Sequence, residues 1–203
     1  MRSFLRHVLL PAVMLLAVLT LLTGAVYPAA VTAVAQAVFP RQANGSLIAV
    51  DGKIVGSSLI GQAFSDPKYF WGRPSAGGPN GYDAGASGGT NLGPTSQQLI
   101  ANITAAVDAA QKANGGGPVP VDLVTSSASG LDPDISSAAA EYQVARVAAA
   151  RGISVDAVRA AVARHTEQPL LGFLGEARVH VLELNLDLDG LLTTTGASPA
   201  VGA

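Results

Sequence analysis

VLLPAVMLLAVLTLLTGAV, residues 8–26, is the stretch that decides the fold. A helix needs roughly 20 mostly apolar residues to cross a hydrocarbon core about 30 Å thick, so the stretch is long enough. It holds eleven Val or Leu residues. At roughly −0.3 to −0.6 kcal/mol each, these favour insertion by about 3 to 7 kcal/mol. The sequence therefore predicts a single N-terminal transmembrane helix over residues 8–28.

The charges that flank this span predict its orientation. Arg2, Arg6 and the amino terminus precede it, and no Lys or Arg follows it until Arg41. Because cations remain preferentially on the cytoplasmic side, we expect residues 1–7 in the cytoplasm and residues 29–189 outside it. The chain is thus predicted to be a single-pass protein in contact with membrane lipid, with an extracytoplasmic domain.

A cleaved signal peptide is the alternative interpretation. Ala33-Val34-Ala35 resembles an A-x-A cleavage site, after which a secreted ligand-binding domain would begin near Gln36. However, the apolar core of a signal peptide is typically about 7–15 residues long, which is shorter than this span. Apolar spacing also continues through Val31 and Val38, as in a helix that extends beyond the bilayer. These features favour an uncleaved anchor.

The composition excludes several classes of function. Charged residues make up 13% of the chain, against roughly 25% in a typical soluble domain, which leaves less polar surface to face water. Lys+Arg number 12 and Asp+Glu 14, and no basic cluster lies beside aromatic residues, so nucleic acid is not an expected partner. The absence of cysteine excludes disulfides, thiolate metal ligands and a Cys nucleophile.

Beyond the span, local patterns predict a small α/β or α+β domain. Asp51-Gly52 between two apolar runs is typical of a two-residue β-hairpin turn. Three helices are predicted from caps, apolar stripes and stop signals, with bounds 95–114, 137–151 and 154–164.

The strands of this domain are less sharply defined by the sequence. Short strands are predicted over residues 119–123 and 178–181. For residues 182–189, where Leu alternates with polar residues, a second strand segment and a short helix capped by Asn185 both remain open. Residues 190–203 are predicted to form a disordered tail.

No catalytic or metal-binding constellation emerges from the sequence. The histidines are His7, His165 and His180, and none has a second His or Cys at ligand spacing. No G-x-S-x-G elbow supports a hydrolase triad. We therefore expect neither catalytic nor metal-ligating residues, and no enzyme activity of the chain by itself.

One glycine-rich loop leaves two interpretations open. Residues 85–94 read GASGGTNLGP and directly precede a predicted helix. Successive backbone N–H groups beside a helix N-terminus can hold a phosphate group. The candidate nucleotide contacts are Ser87, Gly88, Gly89 and Asn91. Yet the G-x-x-x-x-G-K-[ST] motif is missing, which favours a turn that docks against another protein.

Short sequence blocks, in a specific order, run through nearly the whole chain to about Asp189. They are 56–64 (GSSLIGQAF), 69–75 (YFWGRPS), 87–94 (SGGTNLGP), 131–136 (LDPDIS), 146–148 (RVA), 151–152 (RG), 165–166 (HT) and 181–185 (VLELN). Each block alone is weak, but together they resemble the C subunits of the Kdp potassium-transporting ATPases of bacteria.

The resemblance implies a non-catalytic accessory subunit in the bacterial plasma membrane. Its partners would be a channel-like potassium-binding subunit, a P-type ATPase catalytic subunit and a small single-span subunit. The resemblance implies a role in assembly and stability, and a role as a catalytic chaperone that raises the ATP affinity of the ATPase subunit. ATP would then be bound at the level of the complex, with no cofactor held by this chain alone.

The predicted topology suggests a different use of the domain. The glycine-rich loop would lie on the side of the membrane opposite to ATP, so a position over the potassium entrance is the alternative expectation. There the domain would stabilise the assembly, restrict the entrance or raise the local cation concentration through carboxylates such as Asp66, Asp83 and Asp132. The candidate partner-interface residues are Arg73, Pro74, Ser75, Thr90, Leu92 and Gly93.

Overall fold

The structure, a computed structural model, describes residues 4–191. It divides into two compact units at the bond between Leu47 and Ile48. The predicted tail, residues 190–203, lies outside the described residues except for its first two positions. There, the Gly190 and Leu191 N–H groups donate to carbonyl oxygens of the preceding helix.

The first unit is a long apolar helix, α1 (Arg6–Val38), followed by one short helical turn, α2 (Pro40–Ala43). The 33 residues of α1 extend over about 50 Å at 1.5 Å per residue. Within residues 4–191, α1 is the one helix long and apolar enough to cross a membrane. The predicted apolar N-terminal helix is therefore confirmed, and it extends ten residues past the predicted end of the span, to Val38.

Two prolines explain why α1 is not a regular α-helix throughout. One π-helical turn, Leu5–Leu9, forms its start and begins one residue before Arg6, and a second, Leu22–Val26, separates its two α-helical stretches. Each π turn contains the residue four positions before a proline, which is Pro11 in the first case and Pro28 in the second. Proline has no N–H to donate to the carbonyl oxygen of the residue four positions earlier, and its ring crowds that carbonyl. A wider turn at this position relieves the clash.

The second unit is an α+β domain with a two-stranded sheet, β1-β2, and a three-stranded antiparallel sheet of order β3-β5-β4. Short 3₁₀ turns occupy Ala84–Ala86 and Val121–Leu123. The helices and strands are β1 (Leu47–Val50), β2 (Lys53–Ser57), α3 (Gln97–Asn114), β3 (Asp134–Ser136), α4 (Ser137–Arg151), α5 (Val155–Arg164), β4 (Thr166–Glu167), β5 (Arg178–His180) and α6 (Val181–Leu188). The expected α+β class is confirmed.

Local signals placed the ends of the three predicted helices well. α4 ends where Gly152 adopts a left-handed conformation (φ 66°), and α5 begins after Ser154, whose hydroxyl accepts from the Ala157 N–H. The first helix starts slightly later than predicted, because Ser96 is its cap. The predicted hairpin turn is also confirmed, since Asp51 and Gly52 both have positive φ.

Of two other segments, one differs from its prediction and the other adopts one of its two predicted alternatives. Residues 119–123 are not a strand, because Asp122 accepts hydrogen bonds from the backbone N–H (2.7 Å) and hydroxyl (3.1 Å) of Ser136, which favours a 3₁₀ turn there. Residues 181–188 are helical, and His180 rather than Asn185 is the cap. Their Leu alternation mimics a strand because α6 is buried on two sides. Leu184 packs in the main core, whereas Leu182 and Leu186 pack against Ile48.

A segment without regular secondary structure passes through the core beside two helices. Phe70 is fully buried, and its backbone N–H and C=O bond to the side-chain amide of Asn185 at 2.8 and 2.9 Å. The next residue, Trp71, makes the same pair of bonds to the buried amide of Gln143, at 2.8 and 3.1 Å. We call Asn185 and Gln143 the amide clamp. It satisfies backbone groups that lack a strand partner.

Two arginines extend the amide clamp toward the start of the same segment. Arg146 donates to the carbonyl oxygens of Pro67 and Tyr69, and Arg151 donates to that of Lys68. The Arg146 guanidinium also lies 3.9 Å from the centre of the Trp71 ring. Burial lowers the pKa of Arg146 to about 10, so it stays charged at neutral pH. Every carbonyl from residue 67 to 71 therefore accepts a side-chain hydrogen bond.

Asn185→Ala is expected to reduce the free energy of unfolding by about 2–6 kcal/mol, because two buried backbone groups of Phe70 lose their partner at roughly 1–3 kcal/mol each. Chemical denaturation of the full chain in detergent, followed by the fluorescence of Trp71, measures the loss. The control is Asn102→Ala, which removes an exposed amide on α3 and should change stability by about 0.5 kcal/mol or less. Equal losses in both variants would contradict the clamp.

A half-buried contact between a histidine and a carboxylate joins Asp134 and His180, which are paired at one end of β3 and β5. His180 Nδ1 lies 2.6 Å from Asp134 Oδ1, and the two buried atoms have no other hydrogen-bond partner. The hydrogen bond to Asp134 is the largest of the effects that raise the pKa of His180, and Glu183 and Glu167 add to it against the opposing effect of burial. The positive charge of Arg178, which pairs with both Asp134 and Glu167, offsets part of the negative charge around His180.

The raised pKa of His180 predicts a specific pH dependence. A group with a higher pKa in the folded than in the unfolded state contributes its full stability below the unfolded value, near 6.5. That contribution is lost as the pH rises through the folded value. Wild-type stability should therefore fall from about pH 6.5 upward, relative to a His180→Gln variant. Parallel denaturation profiles of the two proteins would contradict this.

Candidate functional site

The candidate region is the irregular segment of residues 61–94, which lies against a second loop formed by residues 125–132. The Gly61 N–H donates to Leu131 O at 2.9 Å, and the Gly88 N–H donates to Ser129 O at 2.8 Å. Since the amide clamp holds residues 70 and 71, the region is joined to the core at one end and to the second loop along its length.

Arg73, a predicted partner contact, is used inside the domain. Its guanidinium pairs with Asp132 at 3.0 Å and donates to the carbonyl oxygens of Thr125 and Ser126. About a quarter of the side chain remains exposed. The guanidinium of Arg73 is therefore largely occupied by contacts that join the two loops.

Ser75, also predicted at the interface, is a junction of three internal hydrogen bonds. Its hydroxyl donates to Gly130 O at 2.5 Å and accepts from the N–H groups of Gly77 and Tyr82. Tyr82 returns a bond from its own hydroxyl to Arg73 O at 2.6 Å. Burial, aided by nearby Asp132 and opposed by Arg73, raises the pKa of Tyr82 to about 12, which keeps this donor protonated.

The glycine-rich loop turns part of its polar surface inward. Besides the Gly88 N–H, the Ser87 hydroxyl donates to Ser129 O at 3.0 Å. A Cβ on Gly130, whose φ is 67°, would lie 2.6 Å from Gly88 O and from Gly77 N. Only glycine permits this close approach of three backbones. The groups that would cradle a phosphate are in part bound to the second loop.

The outer edge of the same loop is open. Thr90, Asn91 and Gly93 are exposed, Leu92 is half-buried, and Asn91 has a left-handed backbone with φ 54°. A Cβ on Gly88 would meet no atom within 4 Å. The predicted site residues thus divide into an inward set that holds the fold and an outward set that remains available for contact.

A shallow cleft of about 360 Å³ opens beside this region. Its walls include the aromatic side chains of Phe64, Trp71 and Tyr82, together with Arg73 and Ser75. Pro74, between the last two in the chain, is half-buried. The volume is within the range of small-molecule sites, roughly 300–1,000 Å³, although the cleft is not enclosed. An aromatic cleft of this kind suits a protruding side chain of another protein.

The carboxylates expected to attract cations have partners in the structure. Asp132 is paired with Arg73, while Asp66 and Asp83 accept from the backbone N–H groups of Lys68 and Gly85. Within residues 4–191, no three His, Cys, Asp or Glu side chains form a metal-ligating group. The arrangement offers negative charge at the surface rather than a defined cation site.

Sequence reasoning did not identify the residues that position this region. Gln143, Arg146, Arg151 and Asn185 hold residues 67–71, and none was predicted to do so. A signal was present for Gln143, which is a polar residue on the apolar face of α4, four positions after the buried Ala139. A polar side chain at such a position requires a buried partner.

Comparison with known proteins supplies the context for this geometry. The family model described as "K+-transporting ATPase, c chain" matches residues 9–190. A protein of Polaromonas naphthalenivorans named potassium-transporting ATPase KdpC subunit is 61% identical over 188 residues, covering 92% of this chain and 96% of the relative.

Two further relatives carry the same name. The one from Methylococcus capsulatus is 59% identical over 183 residues, and the one from Sorangium cellulosum is 61% identical over 182 residues; each alignment covers 89% of this chain and 96% of the relative. The residues that hold the irregular segment therefore lie within a match that spans both the apolar helix α1 and the domain. The chain belongs to the KdpC family, the c chains of K⁺-transporting ATPases.

Proposed function

We propose that the chain is a non-catalytic accessory subunit of a high-affinity, ATP-driven potassium import complex in a bacterial plasma membrane. The family match over both the helix and the domain carries this proposal. In this role the chain contributes to assembly and stability, while ion selection and ATP hydrolysis belong to other subunits. Its partners are a channel-like potassium-binding subunit, a P-type ATPase catalytic subunit and a small single-span subunit.

The anchor of this subunit is α1, with its N-terminus in the cytoplasm. Arg2 and Arg6 precede the apolar stretch, and the next cation is Arg41. Twenty residues from Val8 would reach Tyr27, a residue type enriched at membrane interfaces. The remaining eleven residues of α1, up to Val38, would then extend about 16 Å beyond the hydrocarbon core.

Continuity of α1 also supports an uncleaved anchor. Ala33, Val34 and Ala35, the sequence that resembles a cleavage site, lie within the α-helical stretch Tyr27–Val38. A peptidase needs extended backbone at the bond it cuts, and this stretch would have to unwind first. The structure of the segment therefore favours a retained helix over release of a secreted ligand-binding domain.

The domain contacts its partners through surfaces that the fold leaves open. Thr90, Leu92 and Gly93, on the outer edge of the glycine-rich loop, remain candidate partner contacts. Arg73 and Ser75 support that edge through their bonds to the second loop, and Pro74 lies between them in the chain. In the extracytoplasmic orientation, such contacts would place the domain near the potassium entrance of the complex.

A second candidate is a nucleotide-contacting module that acts as a catalytic chaperone and raises ATP affinity. The exposed Asn91 and the open space around Gly88 favour it. The inward bonds of the Gly88 N–H and the Ser87 hydroxyl weigh against it, because a phosphate would compete with Ser129 O for these donors. It also requires the opposite topology.

Omission of this subunit tests the accessory role. A complex produced without the chain is expected to lose most of its assembled form and its ATP-driven K⁺ uptake, because subunit contacts made by the anchor and domain are gone. Affinity purification of the remaining subunits in detergent and K⁺ uptake into proteoliposomes measure both. Restoring the wild-type chain is the control. Normal assembly and transport without it would contradict the proposal.

Topology is tested by a single cysteine, since the chain has none of its own. Ala86→Cys is expected to react with a membrane-impermeant maleimide in intact spheroplasts, because the exposed Ala86 would lie outside. Ser3→Cys is the matched control and should react only after permeabilisation. The reverse pattern would place the loop on the cytoplasmic side, where ATP is, and support the chaperone role. An intact-protein mass that corresponds to a chain starting near Gln36 would instead support cleavage and release of a secreted domain.

A further inference from the structure

The loop between β4 and β5 exposes four large apolar side chains at its outermost turn, near the middle of the loop. We call residues 170–174 the apolar tip. Leu171 and Phe173 are 76% and 73% exposed, and Leu170 and Leu174 beside them are 68% and 50% exposed. Single exposed apolar residues are ordinary on a protein surface, but a contiguous group of this kind indicates an interaction site.

Backbone hydrogen bonds fix the shape of the apolar tip. Leu170 and Leu174 exchange both of their N–H···O bonds, at 3.0 and 2.9 Å, as a paired bridge. The Gly172 N–H donates to Pro169 O at 2.9 Å, and the Phe173 N–H donates to Leu170 O at 3.3 Å. The exposed side chains therefore project from an ordered turn. A preformed surface loses less entropy when it binds.

Leu171 is an unfavourable residue for the backbone that it occupies. Its φ is 56°, a left-handed conformation that Gly or Asn adopts readily and that crowds the side chain of Leu. The side chain also gains little from burial, because it is mostly exposed. Neither local conformation nor packing within the domain accounts for Leu at this position. Strain of this type is typical of residues kept for contact with another molecule.

We propose that the apolar tip inserts into an apolar pocket on a protein partner, namely another subunit of the transport complex. The inference rests on the proposed function for the existence of such a subunit, and it assigns the docking residues. The side chains of Leu171 and Phe173 would fill the pocket, with Leu170 and Leu174 at its edge. Burial of apolar side chains at the centre of an interface is the usual source of binding energy.

Charge near the apolar tip favours a protein pocket over a lipid surface. The ionisable residues from 167 to 178 are Glu167, Glu176 and Arg178, and the segment has no Lys, Trp or Tyr. Arg178 is engaged with Glu167 at 2.6 Å and with Asp134 at 3.3 Å, which leaves Glu176 without an ion pair in the described residues. Loops that enter a membrane interface commonly carry cations and Trp or Tyr. We therefore expect the edge of the partner's pocket to present a basic residue or an N–H donor to Glu176.

The variant Leu171→Asn with Phe173→Ser separates docking from folding. Asn is compatible with the left-handed backbone, so the thermal unfolding temperature of the full chain in detergent should stay the same or rise. Retention of this chain by the affinity-purified remaining subunits should fall about tenfold or more. Ile100→Asn, at a half-exposed apolar position on α3, is the matched control and should retain wild-type binding. Wild-type binding by the double variant would overturn the proposal.

Crosslinking identifies what covers the apolar tip. With p-benzoyl-phenylalanine in place of Leu171, irradiation of the intact complex in membranes should join this chain to another protein subunit. A crosslink to lipid alone would overturn the protein pocket and favour a membrane surface. Failure of the wild-type chain to bind the other subunits would instead refute the proposed function, so the two outcomes are distinct.

Discussion

The amide clamp is the interaction on which the domain depends. Phe70 and Trp71 cross the interior without a neighbouring strand, yet a buried N–H or C=O without a partner is costly. Asn185 from α6 and Gln143 from α4 supply that partner from two sides, each with one donor and one acceptor. The same contacts bring α4 and α6 to a common segment. Loss of the clamp would therefore loosen both helices and the irregular region that follows.

The consequences extend to the glycine-rich loop. Once residues 70 and 71 are held, Arg73 reaches Asp132 and Ser75 reaches Gly130, and these bonds bring two loops into backbone contact. The glycines of this region permit close approach, as at Gly130, where any Cβ would strike two backbones. A glycine-rich pattern that resembles a phosphate-binding loop thus has a structural explanation of its own. Only its outer edge, around Asn91, is free of that requirement.

Polar and apolar side chains are used differently in this domain. Most charged and amide side chains near the candidate region have hydrogen-bond partners inside the chain. The four large apolar side chains of the apolar tip instead project into solvent from a hydrogen-bonded turn. Charged groups that already have internal partners contribute little to recognition, since a new contact must first replace an existing one. The apolar tip carries no such penalty. Its side chains exchange only water for a partner.

The sequence by itself determined the long apolar N-terminal helix, the hairpin turn and the ends of α4 and α5. These features depend on signals within a few residues, such as an uncharged apolar run, Asp51-Gly52, and the caps Gly152 and Ser154. The tertiary structure alone decided the helical state of residues 181–188 and the inward use of Arg73 and Ser75. Asn185 and Phe70 are 115 positions apart in the chain, and Gln143 and Trp71 are 72 apart. Because those contacts are non-local, no periodicity or cap near any one of these residues could predict them.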